Sequence, residues 1–286
     1  MKPQVVSNKE LKSFLEASKR ETRLVGALEK ATLMRPFDDR RMDILHPSDL
    51  IKKDWCALAA YHALRGNYIE TRQKPTLRLR SIFDEGHAIH HKWQTWIGEM
   101  GNLYGVWEVG KDRTWDTSKN LVGAVNKIYK EVPVQSEKHM IYGHADGWVK
   151  GLGDDFLIEI KSIGAGTIRM EDPGLFNGSQ DLEAAWRNIR RPFNTHFLQG
   201  QMYLHLCHLM VEDGLLESAP KEIVFLYELK ANQDYKEFVV SYAPEYVEPF
   251  FNNSLDVVWA VKNERPPMCS IDSIKGCDRC KPHREE

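Results

Sequence analysis

Apolar and polar positions alternate with a period of two in "FLIEIK" (156–161). Phe156, Ile158 and Ile160 fall on one face and Leu157, Glu159 and Lys161 on the other, the pattern of a strand with its even face toward a core. "GHADGWV" (143–149) precedes it, and the turn "GLGD" (151–154) makes the two runs a tight hairpin. Strand character returns at 104–109, 129–135, "EIVFLYEL" (222–229) and "YKEFVVSY" (235–242). Elsewhere the period is helical. Residues 8–30 form a charged helical stretch, and "PSDLIKKDWCALAAYHALRG" (47–66) reads as one helix, with Pro47 at its start, Ser48 or Asp49 as cap and Gly66 as stop. In 81–101 an apolar stripe runs through Ile89, Trp93, Trp96 or Ile97, and Met100. Helices are also predicted at 181–190, 194–210 and 244–264, whereas "GAGTIRMEDPGLFNGSQ" (164–180) reads as loop. Helices, strands, a helix, strands and a helix in that order imply an α/β fold, with a mixed central sheet flanked by helices.

The hairpin carries the first chemical signal. Its turn is centred between Leu152 and Gly153, so counting outward sets Asp146 opposite Glu159. Like charges opposed across a ladder are destabilising, and a divalent cation between them reverses that sign. Mg²⁺ accepts two protein carboxylates and fills its shell with water or phosphate oxygens. Lys161, two residues from Glu159, shares its face. Taken alone, this pattern fits a salt-bridged surface cluster as well as it fits a metal site.

Composition narrows the field. The chain has 286 residues, 42% of them hydrophobic, enough for a substantial core. A formal net charge of −2 excludes a global basic field that would draw the protein to nucleic acid. Only local patches remain: Arg72, Lys74, Arg78 and Arg80, and Arg187, Arg190 and Arg191. The first twenty residues hold no apolar signal region and no run approaches a membrane span, so a soluble cytoplasmic protein is expected. In that compartment five cysteines do not imply disulfides. Cys207 sits beside Leu206 and Leu209 in a helical stretch and reads as a small buried residue. Cys56, Cys269, Cys277 and Cys280 remain, and four thiolates suit either a structural zinc ion or an iron–sulfur cluster.

Together these residues resemble the PD-(D/E)XK nuclease superfamily. Gly143, Asp146, Glu159 and Lys161 match its core pattern, and three further matches resemble its RecB-type branch. They are Gly86 with His90 on the helix before the sheet, Glu131 opening the strand before the hairpin, and Gln199 with Tyr203 on the helix after it. Cys56 with the three C-terminal cysteines resembles the iron–sulfur subgroup, which includes the AddB nuclease domain and CRISPR-associated exonucleases with phage homologues. Here the seven-residue gap, Cys269 to Cys277, precedes the Cys-x-x-Cys pair. The resemblance implies a restriction-endonuclease-like domain over 1–286. Its parts are a helical region (1–66), a core (67–264) with an insertion at 163–195, and a cysteine-bearing tail (265–286) joined to the helical region by a [4Fe–4S] cluster, with zinc as the alternative. It implies Mg²⁺ or Mn²⁺ on His90, Asp146, Glu159 and the Ile160 carbonyl, Lys161 as catalytic lysine, and Gln199 and Tyr203 contacting DNA. The activity implied is hydrolysis of phosphodiester bonds in single-stranded DNA or at DNA ends, in repair, recombination or CRISPR adaptation. The rival is a DNA-binding or assembly module of the same fold without catalysis.

Overall fold

A computed structural model describes residues 9, 12–13, 24–35, 40–70, 73–109, 127–176, 178 and 181–283. They divide into two compact units, 1–39 with 72–84 and 40–71 with 85–286. In the first, helix α1 (Leu24–Met34) buries no residue, and the Lys74 ammonium donates to the Leu33 carbonyl at 2.8 Å. The Arg72 of the basic patch lies outside the described residues. No described helix is long and apolar enough to cross a membrane.

The second unit holds the sheet. Along the chain come α2 (Pro47–Leu50), α3 (Ala57–Leu64), α4 (Leu77–Glu99, whose first turns belong to the first unit), β1 (Leu103–Tyr104), β2 (Val106–Val109), β3 (Lys127–Lys130), β4 (Val132–Ser136), β5 (Ile141–Ala145), β6 (Gly147–Val149) and β7 (Phe156–Ile163). Then follow α5 (Ala165–Glu171), α6 (Leu182–Asn188), α7 (Asn194–Glu212), β8 (Glu222–Leu229), β9 (Tyr235–Ser241) and α8 (Glu248–Lys262). The central sheet has the order β1-β6-β7-β8-β9, with β7 and β8 parallel and the other pairs antiparallel. It is the expected mixed sheet flanked by helices. A parallel pair needs a long crossover, and the segment from α5 to α7 supplies it.

Both faces of β7 are buried, which corrects the expectation of one core face. Leu157 and Ile163 pack in a large cluster with Tyr203, Leu206 and Phe225, whereas Ile158 and Ile160 pack with Ile89, Leu103 and Val149. Glu159 is therefore buried within the strand, whereas the Lys161 side chain keeps 20% of its surface exposed. Gly200 lets α7 press on the sheet: a Cβ there would stand 2.5 Å from the Phe225 ring.

Two other expectations change. The helix expected over 47–66 is broken: α2 ends at Leu50 and α3 starts after Cys56, which is extended at φ −128°. His46, not Ser48 or Asp49, is the N-cap of α2; Asp49 instead pairs with Arg40 and Lys52. Gly66 ends α3 with φ +78°, as expected of a glycine stop. The loop expected over 164–180 contains α5 and a 3-10 turn, Pro173–Phe176. Local composition favoured a loop, but Ile168 and Phe176 reach the main core, and that burial overrides the propensity of the glycines and Pro173.

Candidate active site and metal centre

The hairpin register follows from its turn. Val149 pairs with Phe156, Trp148 with Leu157 and Gly147 with Ile158, so Asp146 occupies the next position, toward Glu159. The ladder stops there because the chain passes from β6 to β5, which pairs with β4 instead. Asp146 turns in at that parting, and its Oδ2 accepts a 2.6 Å hydrogen bond from the Ile160 N–H. Two glycines permit the approach. A Cβ on Gly147 would meet Leu103 at 2.6 Å, and one on Gly143 would meet Pro47 at 3.0 Å and the Tyr203 ring at 3.1 Å.

Helix α4 crosses the even face of the strand, carrying Gly86, His90 and Gln94 one turn apart. A Cβ on Gly86 would lie 3.3 Å from Ser162 Oγ, so this residue marks a close crossing. His90 Nδ1 stands 3.5 Å from Asp146 Oδ1, whereas His87 and His91 are exposed. Buried Gln94 donates through Nε2 to the Asp146 carbonyl at 2.8 Å, fixing the backbone that carries the carboxylate.

On the other face, Lys161 Nζ lies 2.6 Å from Glu159 Oε1 and donates to Gln199 Oε1 at 3.0 Å. Gln199 Nε2 donates in turn to the Tyr203 hydroxyl at 2.8 Å. Tyr203 is only 6% exposed, so its ring belongs to the core. Its hydroxyl, by accepting that bond, supports Gln199. Glu159 Oε2 is buried and has no hydrogen-bond partner among the described residues, an arrangement that is costly unless a charge or donor completes it.

Glu131 is the metal-competent group that sequence reasoning undervalued. Ligand atoms of His90, Glu131 and Asp146 all lie within 4.8 Å of one another; Glu159 is not part of that triplet but adjoins it through Asp146. The signal was Glu131 itself, just before β4, yet no local pattern showed that β4 and β5 would peel away and aim it at Asp146. Beside Glu131 opens a cavity of about 860 Å³, lined also by Tyr104, Tyr129, Lys130 and His144.

The electrostatics reflect too much negative charge in one place. Burial, and then the charge of Asp146, push Glu131 up to about 7. The same two causes push Glu159 up, against the opposing pull of Lys161. Burial lowers Lys161, but Glu159 and Asp146 outweigh it and hold the lysine above its ordinary value. His90 is likewise raised, with Asp146 outweighing burial. Three carboxylates, one of them with an orphaned buried oxygen, and an imidazole are a donor set that a hard divalent cation would satisfy.

The four remaining cysteines also meet, 213 residues apart in sequence for Cys56 and Cys269. All four Sγ atoms lie within 4.8 Å of one another; Cys56 to Cys269 is 3.6 Å and Cys277 to Cys280 is 3.8 Å. The break between α2 and α3 now has a cause: Cys56 must leave the helix to face the tail. The tail is pinned by the Ala57 N–H donating to Ser270 Oγ at 3.0 Å and by Arg279 with Asp54 at 2.7 Å. Backbone N–H groups of Asp272 and Cys277 point at Cys269 and Cys280 sulfurs at 3.4 Å. Burial pushes the Cys269 thiol up, but N–H donation from Asp272 and Ile271 prevails and brings it to about 6; Cys56, with burial dominant, rises to about 12. The group can bind a metal ion. Cys207 stands apart, fully buried in the main core.

Searches against family models and against curated proteins find no match. Among solved structures the chain resembles an alkaline exonuclease, LHK-Exo, from Laribacter hongkongensis, with 13% identity and a TM-score of 0.40 over 79% of this chain and 91% of that one. LHK-Exo in complex with dAMP gives 13% and 0.41 over the same shares. A chain designated SSO0001 gives 15% and 0.36, covering 84% of this chain and 88% of its own. At this level nothing is transferred from those proteins, and the chemistry is read from the residues present.

Proposed function

We propose that this protein is a divalent-metal-dependent DNA nuclease of the RecB-type branch of the PD-(D/E)XK superfamily, an exonuclease acting on single strands or DNA ends. The observation that carries the reading is the convergence of His90, Glu131 and Asp146 within 4.8 Å, beside a buried Glu159–Lys161 pair. His90, Glu131, Asp146 and Glu159, with the Ile160 carbonyl, would hold Mg²⁺ or Mn²⁺. When bound, the ion polarises a phosphate oxygen and acidifies a water.

The chain's own residues do the rest. Asp146 is fixed from two sides, by the Ile160 N–H on its carboxylate and by Gln94 on its carbonyl. Lys161 is held by Glu159 and Gln199. Because neighbouring carboxylates keep it protonated, it acts here as a fixed positive charge that stabilises the phosphate and orients a water, not as a base. The cavity beside Glu131 has the size of a small-ligand site and would receive the nucleotide next to the scissile bond, with Lys130 at its wall. Arg187, Arg190 and Arg191 are exposed on or next to α6, itself anchored by Trp186 in the core, and would reach phosphates from a rigid base.

The test is degradation of end-labelled linear DNA and of closed circles, with Mg²⁺, Mn²⁺ or EDTA, by the wild type and Lys161→Ala. Metal-dependent shortening of linear DNA by the wild type alone supports the reading. Binding without cleavage in either metal overturns it in favour of a DNA-binding module.

A further inference from the structure

The family resemblance implies a [4Fe–4S] cluster on Cys56, Cys269, Cys277 and Cys280, and the positions of the sulfurs do not fit one. In such a cluster each thiolate binds a different iron at its own corner of a cube, which separates the thiolate sulfurs by roughly 6 Å. Here no pair exceeds 4.8 Å. The centre of a tetrahedron with 4.8 Å edges lies about 2.9 Å from each corner, room for one atom and not for a cube of eight. A single ion at a zinc–sulfur distance of about 2.3 Å requires sulfurs about 3.8 Å apart. The Cys56–Cys269 and Cys277–Cys280 separations, 3.6 Å and 3.8 Å, match that edge.

We propose that these four cysteines form a closed, tetrahedral, single-ion site of the zinc class that staples the tail to the start of α3. The surroundings agree with a structural site. Cys56, Cys269 and Cys280 are at most 4% exposed, Leu58 and Ala59 pack against them, and all four positions are cysteine sulfurs, leaving none open for a substrate. Peptide N–H groups aimed at Cys269 and Cys280 sulfurs share out the negative charge of four thiolates around one dication. The tail 265–283 has few apolar side chains, and Met268, Ile271 and Ile274 are exposed, so the ion supplies what packing does not. The inference goes beyond the nuclease reading and does not depend on it.

The experiment is metal and acid-labile sulfide analysis of full-length protein purified without oxygen from cells supplied with both iron and zinc. The expected result is colourless protein with about one zinc per chain and no sulfide. Cys207→Ala should keep that zinc and Cys280→Ser should lose it. Brown protein carrying iron, with or without sulfide, overturns the proposal, as does wild-type protein without stoichiometric metal. None of these readouts involves cleavage, so failure of the nuclease reading would show separately, in the DNA assay.

Discussion

The two metal-competent sites of this molecule are built in opposite ways. The carboxylate site sits where a sheet divides between two packed cores. Its residues are already placed by other groups: Asp146 by Ile160 and Gln94, Lys161 by Gln199, Gln199 by Tyr203. The thiolate site joins a packed segment, whose Tyr61 and Leu64 lie in the main core, to a tail with few apolar side chains of its own. A pre-placed site loses chemistry when a ligand is removed, because the fold does not need the ion. A site that is itself the attachment loses structure. Substitutions can separate these two behaviours.

The largest expected effect is on chemistry. Asp146→Asn keeps an acceptor for the Ile160 N–H but removes a charged ligand, and Lys161→Ala removes the fixed cation. Each should lower the cleavage rate by about 10³-fold or more, roughly 4 kcal/mol in the transition state, while circular dichroism and thermal midpoint stay near wild type. Near-normal cleavage in Mn²⁺ by either variant would remove the assigned site.

At the tail the pattern should invert. Cys280→Ser, or a strong chelator, should release the metal and expose 265–283 to protease. Opening a closed loop longer than 100 residues costs about 5 kcal/mol by chain entropy, read as a lower unfolding midpoint, with cleavage by the surviving folded fraction retained. A chelated protein that keeps its midpoint would mean that the tail is held by packing after all.

These contrasts explain what was legible in the sequence. The hairpin register could be read because a four-residue turn fixes it and the period of two is unforgiving. His90 could be separated from its neighbours His87 and His91 only with the resemblance, since phase alone left His87 on a similar face. Glu131 as a metal-facing group could not be read, because its approach to Asp146 depends on β5 pairing with β4 and not with β7. The break at Cys56 was hidden for a similar reason. "DWCALAAY" is a good helix sequence, and what interrupts it lies more than 200 residues away. Burial of Ile168 and Phe176 in a glycine-rich stretch is likewise a tertiary fact.

A smaller effect should appear with pH. Glu131 is raised to about 7 and Glu159 is raised as well, so between the ordinary carboxylate range and about pH 7 the folded, metal-free protein binds more protons than the unfolded chain. Stability from these groups is therefore full below the ordinary carboxylate value and is lost as pH rises through about 7. In EDTA the unfolding midpoint should fall over that window; Mn²⁺ should oppose the fall by neutralising the repulsion, and Glu159→Gln should flatten it. A flat profile in EDTA for the wild type would show that the carboxylates are not crowded.

The smallest effect tests whether Tyr203 works through Gln199. Tyr203→Phe removes only the hydroxyl that accepts from Gln199 Nε2 at 2.8 Å and leaves the buried ring against Gly143. One neutral hydrogen bond is worth about 1 kcal/mol, so turnover should drop by roughly fivefold, because Gln199 is then less firmly held against Lys161. Affinity for DNA should not change if the ring never touches it. Tyr203→Ala is a different experiment: it opens a cavity in the main core and should cost about 3–5 kcal/mol of stability, as large aromatic deletions do. A ring that lay on the DNA would give the reverse result, with Tyr203→Phe losing little turnover and Tyr203→Ala weakening DNA binding without unfolding. That outcome would move Tyr203 from the supporting core to the substrate surface and would leave Gln199 to hold Lys161 alone.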